Sequence, residues 1–178
     1  MYLKINFPSK GYFEIWSKAT DEDNISQPFD ISWNPKGYLN NSQANKDSFV
    51  DGWFRTGDQG FYDDEGFLQL TGRIKEIINK GGEKISPLEI DDAIMKHESV
   101  FQGITFPIVH NKLGEEVAAA IVLKNDLQLT EQELKEFLSK ILAPFKIPQT
   151  IVFLDEIPKG KTGKLQRIGL DKKLGLEQ

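Results

Sequence analysis

Cysteine is absent from this 178-residue chain, which excludes disulfides, thiol nucleophiles and thiolate metal sites. Histidine is nearly absent. His97 and His110 are too few for a typical zinc centre and do not sit at ligand spacing from each other, so no metal site is expected. No apolar run approaches the roughly 20 residues that a membrane helix needs, and no basic-then-apolar leader follows Met1. We therefore expect a cytoplasmic protein without a transmembrane segment. An excess of positive charge is also lacking: 22 Lys and Arg stand against 27 Asp and Glu, a formal net charge of −5, which argues against a nucleic-acid partner.

What is present is an ordinary globular composition, 39% hydrophobic and 28% charged, in a chain long enough for one or two domains. GYFEIWS (residues 11–17) reads as a strand, and the polar, proline-punctuated residues 19–36 read as a long loop. FYDDEGFLQL (residues 61–70) has the pattern of a hairpin closed by Asp-Asp-Glu-Gly. Ile74, Ile77 and Ile78 read as extended chain that turns at Lys80, Gly81 and Gly82. Ser86, Pro87 and Glu89 spell an N-cap, a first helical residue and a capping box, with Ile90, Ala93, Ile94 and His97 on one helical face. Two strands follow. ITFPIV (residues 104–109) carries Pro107, which suits a sheet edge, and VAAAIVL (residues 117–123) is apolar throughout, which suits a centre. Thr130 and Glu133 form a second capping box, opening a helix whose apolar face holds Leu134, Phe137, Leu138, Ile141 and Leu142. TIVFL (residues 150–154) is a further strand. From Lys75 onward the pattern predicts a compact α+β domain of about 100 residues.

Three short segments combine glycine, charge and turn chemistry: RTGD (residues 55–58), GRIKEIINKGG (residues 72–82) and PKGKTGK (residues 158–164). Each alone has a plain structural reading. An Asp after Thr-Gly caps turns, and the six cations between Lys159 and Lys173 read as a solvated tail. PKGKTGK also lacks the G-x-x-x-x-G-K-[ST] spacing of a nucleotide-binding P-loop.

Taken in order, GYLNN, DGWFRTGDQG, LTGRIKEIINKGGEKISPLEI, GEEVAAAIVL, APFKIP and IPKGKTGKLQR resemble the C-terminal third of the adenylate-forming superfamily, the AMP-dependent acyl- and aryl-CoA synthetases and their relatives. The resemblance is continuous over about three quarters of the chain. It implies that residues 1–73 are the β-rich end of a large N-terminal domain. Residues 74–178 are then a small lid domain, a short β-hairpin plus a mixed three-stranded sheet with flanking helices, hinged near Lys75. It also implies a two-step reaction: a carboxylate and ATP give an acyl-adenylate and pyrophosphate, and CoA then displaces AMP. Asp58 matches the carboxylate that holds the ribose hydroxyls, Arg73 the arginine beside the ribose and phosphate, and Lys164 the catalytic lysine of adenylation. Lys75 matches the hinge, where many members carry Asp. Gly81 and Gly82 match the loop beside the pantetheine arm, and Lys146 a cation offered to the CoA nucleotide. Mg²⁺ would arrive with ATP, with its ligands outside this chain. The family's phosphate loop and acyl pocket have no counterpart here, so the resemblance implies a C-terminal piece that is inactive alone and needs an upstream domain. Two further readings stand beside it: a non-catalytic binding or regulatory module that keeps the lid fold, and the lid of an adenylating enzyme that does not use CoA, such as an acyl-AMP ligase or luciferase-like enzyme.

Overall fold

The structure is a computed structural model that describes residues 13–17, 38, 40–51, 53–160 and 163–176. The anticipated loop of residues 19–36 lies outside the described residues, as do Gly37, Leu39, Lys161 and Thr162 of the motifs. The chain divides into two compact units, Met1–Lys75 and Glu76–Gln178.

In the first unit the described strands are β1 (Phe13–Ser17), β2 (Phe49–Val50), β3 (Trp53–Tyr62) and β4 (Leu68–Arg73). β3 is the longest and runs antiparallel to the other three. β3 and β4 form the hairpin that the Asp-Asp-Glu-Gly turn foretells. The Asp63 carboxylate closes that turn by accepting from the N–H groups of Glu65 and Phe67. Its contacts with Gln69 and with the Phe67 N–H hold its carboxyl below the usual range. A helix, α1 (Ser42–Ser48), was not anticipated. Asn41 of the GYLNN motif is its N-cap and accepts from the Ala44 N–H at 3.0 Å.

Between the units, Ile74–Glu76 forms one turn of 3₁₀ helix, not the extended chain expected there. The second unit then builds one sheet from β5 (Ile78–Lys80), β6 (Glu83–Ile85), β7 (Val100–His110), β8 (Gly114–Leu123) and β9 (Thr150–Phe153). The order is β6-β5-β8-β7, with β9 parallel to β8 and the other pairs antiparallel. The expected hairpin and mixed three-stranded sheet are thus joined, by the pairing of Lys80 with Gly114. Three helices flank them: α2 (Pro87–Ile94), α3 (Glu131–Ser139) and α4 (Leu170–Lys173). Among the described residues, no helix is long and apolar enough to cross a membrane.

β8 explains why this unit has two hydrophobic clusters. Its residues alternate between faces, and both faces are covered. Val117, Ala119 and Ile121 pack with Ile78, Ile85, Ile90, Ile94, Leu134 and Leu138 on one side. Ala118, Ala120 and Val122 pack with Phe106, Ile157 and Leu170 on the other. Each of the larger side chains contributes roughly 1.5–3 kcal/mol by leaving water. β7, which pairs only with β8 among the described strands, lies at the edge where Pro107 is tolerated.

The two helix starts differ. The Thr130–Glu133 capping box is formed in both directions. Ser86 occupies the N-cap of α2 and Pro87 its first turn, but Ser86 makes no side-chain cap bond, and the Glu89 carboxylate is taken by Lys146 instead. The anticipated capping box is therefore not completed from the Ser86 side chain. α3 ends at Ser139, which leaves Ile141 43% exposed rather than on the buried face.

Gly103 in β7 lies where α2 crosses the sheet. A Cβ there would stand 2.6 Å from Ile94 Cγ2. Gly103→Ala should cost about 1–3 kcal/mol through overpacking, whereas Ile168→Ala, at a site 63% exposed, should change little. Chemical denaturation monitored in the second unit distinguishes the two.

Candidate functional site

Two of the anticipated residues meet across the β3–β4 hairpin. Asp58 and Arg73 are direct cross-strand partners. Arg73 Nε lies 2.8 Å from Asp58 Oδ1, and its Nη1 donates to the Thr56 carbonyl at 3.3 Å. Within β3 the Asp58 N–H donates to Thr56 Oγ1 at 3.0 Å, across Gly57 with its φ of +74°. The Arg73 side chain is 61% exposed, so the pair adds little to stability. What it offers is a carboxylate and a planar guanidinium side by side at the surface, suited to hydroxyls and to phosphate oxygens respectively. Lys75 follows on the 3₁₀ turn and is exposed.

In the second unit, Gly81 and Gly82 are the turn between β5 and β6, with φ values of +60° and +98°, in the region that favours glycine. Space around the two is unequal. A Cβ on Gly81 would press on Leu113 Cδ2 at 3.1 Å, whereas a Cβ on Gly82 would meet nothing within 4 Å. The turn is held from below. The Gly81 N–H donates to the Leu113 carbonyl at 2.8 Å, and the Asn79 N–H donates to the Glu115 carboxylate at 2.6 Å. Lys80 pairs with Glu116 at 2.6 Å, both side chains being largely buried. Lys80 Nζ also donates to the Phe145 carbonyl at 3.2 Å, which ties the glycine turn to the 3₁₀ turn Pro144–Lys146. The structure thus brings Gly81, Gly82 and the neighbourhood of Lys146 together, through Lys80. Lys146 itself holds both oxygens of Glu89, at 2.6 and 2.7 Å. Phe145 is 39% exposed, and Lys146 Nζ stands 5.8 Å from its ring centroid.

Lys164 is exposed on a loop whose ends are paired, Lys159 with Leu165. The Gly160 N–H donates to the Lys164 carbonyl at 2.8 Å. Beyond it the chain alternates: Leu165 and Arg167 turn inward, Gln166 and Ile168 outward. In the sequence Arg167 reads as part of a solvated cationic tail. It is instead 11% exposed, with Nη1 2.6 Å from Asp91 Oδ2, Nε 2.9 Å from Glu76 Oε2, and Nη1 donating to the Thr105 carbonyl at 3.1 Å. Burial pushes the Asp91 carboxyl up, while the Arg167 charge and the Thr105 N–H act against that shift. The partners of Arg167 lie 62 to 91 residues away, so only the inward phase of Arg167 relative to Leu165 signals its burial in the sequence. The same holds for Lys80 and Glu116. His97, read as part of the apolar face that follows Pro87, packs edge-on against Phe137 with ring centroids 4.8 Å apart.

Asp58, Arg73 and Lys75 belong to the first unit and Gly81, Gly82, Lys146 and Lys164 to the second. Among the described residues, no group of three or more His, Asp or Glu side chains is placed to hold a metal ion.

Comparison with known proteins gives three findings. Residues 89–164 match the family model for the AMP-binding enzyme C-terminal domain. Over 133 residues the chain is 52% identical to oxalate–CoA ligase of Saccharomyces cerevisiae, and over 132 residues 40% identical to 2-succinylbenzoate–CoA ligase of Bacillus licheniformis. These matches take in 74% of this chain but only 24% and 27% of the two relatives; the chain spans about a quarter of their length. The fold matches o-succinylbenzoate CoA synthetase of Bacillus subtilis, solved with its acyl-adenylate intermediate. There the TM-score is 0.74 at 31% identity, over 88% of this chain and 30% of that one. An amide bond synthetase of Marinactinospora thermotolerans, at 22% identity and a TM-score of 0.76, shares the fold.

Removing Arg167 exposes the electrostatics of its pocket. In Arg167→Gln the burial of Asp91 is opposed by less, so its folded-state pKa rises further above the unfolded value of about 3.9. A carboxyl whose pKa is raised by folding supports the fold below its unfolded pKa and loses that support as pH rises through the raised one. The destabilisation should therefore be small near pH 4 and grow to about 3–5 kcal/mol at neutral pH, read from urea midpoints across that range. Glu116→Gln should similarly leave Lys80 buried without its counter-charge and speed amide exchange at Gly81, with exchange at Ala119 unchanged.

Proposed function

Because residues 89–164 belong to the C-terminal domain family of AMP-binding enzymes, we propose that this chain acts as the C-terminal part of an AMP-forming acid–thiol ligase. A carboxylate attacks ATP to give an acyl-adenylate and pyrophosphate, and the CoA thiol then displaces AMP. The observation that carries the CoA half of this reading is the junction at Lys80. There a glycine turn with open space at Gly82 is fixed beside the cation Lys146. A thin pantetheine arm can lie against bare backbone, and a nucleotide phosphate can compete with the Glu89 carboxylate for Lys146.

In this reading Asp58 accepts from the ribose hydroxyls and Arg73 lies along ribose and phosphate. Lys164 supplies positive charge where it develops during adenylation. Rotation about Lys75 exchanges the adenylating and thioester-forming poses, so that one small domain serves both half-reactions. Residues 1–73 complete a large N-terminal domain, and residues 74–178 are the lid. Catalysis takes place in the cytoplasm and requires ATP, CoA, Mg²⁺ brought with ATP, and an upstream domain that supplies the phosphate loop and acyl pocket.

CoA titrated into isotope-labelled chain should shift the amide signals of Gly81, Gly82 and Lys146 and leave those of the β3–β4 turn in place. Unchanged signals at all three would remove the CoA half of the proposal. In the protein encoded by the complete reading frame, Lys164→Ala should slow carboxylate-dependent ATP–pyrophosphate exchange by roughly 10²–10³-fold. Thioester formation from supplied acyl-adenylate should continue at its normal rate. Equal losses in both half-reactions would take Lys164 out of the adenylation step, and a complete reading frame no longer than this chain would favour a non-catalytic binding module.

A further inference from the structure

Arg167 joins the segment that carries Lys164 to the start of the second unit. Two residues separate Lys164 from Arg167 in sequence, and exposure alternates along the segment, with Lys164 and Gln166 exposed and Leu165 and Arg167 partly buried. Leu165 packs against the Phe106–Leu170 cluster. Gln166 covers Gly160, where an added Cβ would collide with it. Arg167 then closes the segment with a guanidinium shared between Glu76, the first residue of the second unit, Asp91 in the middle of α2, and the Thr105 carbonyl in β7. With exposure alternating residue by residue from Lys164 to Arg167, a slip of one residue would turn Lys164 inward and put Gln166 where a charged fork is required.

We propose that Arg167 is a positioning residue for Lys164. Its ties to Glu76, Asp91 and Thr105 fix the phase of the segment, so that Lys164 is presented outward and moves as one body with the residue that follows Lys75. This rests on the reading of Lys164 as the adenylating cation. A lysine keeps the charge but loses the planar fork that binds three partners at once, and Glu76→Gln weakens one of the three contacts while leaving the buried Asp91 pair intact.

The test uses the protein encoded by the complete reading frame, with both half-reactions measured separately. Arg167→Lys should slow pyrophosphate exchange on the order of tenfold to a hundredfold, the loss expected of a displaced reacting group, and Glu76→Gln should do so by less. Thioester formation from supplied adenylate should stay within about twofold of wild type in both, a split that general loss of folding does not produce. Arg167→Lys added to Lys164→Ala should cost nothing more, because both act through the same ammonium group. In the labelled chain, Arg167→Lys should speed exchange of the Gly160 and Gly163 amides while Ala119 exchanges as before. Equal loss in both half-reactions, or an additive loss in the double variant, with Lys164→Ala still selective, would overturn the inference alone. A Lys164→Ala variant with normal adenylation would overturn the site reading and this inference with it.

Discussion

The second unit is organised by the burial of β8 on both faces. A strand covered twice has no side chain to spare for water, and Val117 to Ile121 have none exposed. The three alanines at residues 118–120 keep the strand thin, so α2 and α3 approach one face and the Phe106 cluster the other. Once β8 is fixed, its neighbours have defined places. β7 pairs along its length, β9 lies parallel from Ala118 to Ile121, and Gly114 at its start receives Lys80. The glycine turn is therefore set by the central strand of the core, although its own φ values make it a local feature.

The ion pairs of this unit are placed where elements distant in sequence must agree. Lys80–Glu116 ties the hairpin and the Phe145 turn to β8, and Arg167–Asp91 ties the C-terminal segment to α2 and β7. Both are largely buried and both carry additional hydrogen bonds to main-chain groups. Burial of charge is costly, and such pairs often add no net stability over apolar replacements. Their contribution here is register. Each admits one arrangement of three or four chain segments, where a patch of leucines would admit several. The half-exposed Asp58–Arg73 pair differs: it lies on a single hairpin whose strand pairing already holds its residues together.

Much of this was legible in the sequence because it is local. The Asp63 turn, the Thr130–Glu133 capping box and the buried run of β8 are each specified within ten residues, and each appears in the structure as read. The cross-strand meeting of Asp58 and Arg73 follows from that hairpin. The failures share one cause. Ser86 and Glu89 have the spacing of a capping box, but Ser86 makes no side-chain cap bond and the Glu89 carboxylate is held by Lys146, 57 residues away. Arg167 reads as one more cation in a basic tail because Glu76, Asp91 and Thr105 are all remote from it. Ile74 to Glu76 looks extended from its apolar spacing yet forms a 3₁₀ turn, where Glu76 meets the same arginine. Ion pairs over such separations leave no periodic trace.

The Thr105 main chain carries a consequence for the protein in a crowded solution. β7 ends the sheet, and an uncovered edge strand of eleven residues is a template on which another chain can add. At Thr105 the N–H is given to Asp91 and the carbonyl to Arg167, one acceptor and one donor, the two valences an incoming strand would fill. Two residues on, Pro107 has no N–H to offer. The guanidinium–carboxylate pair thus acts as a counterfeit strand one residue long, and together with the proline it closes the middle of the edge to fibrous self-association.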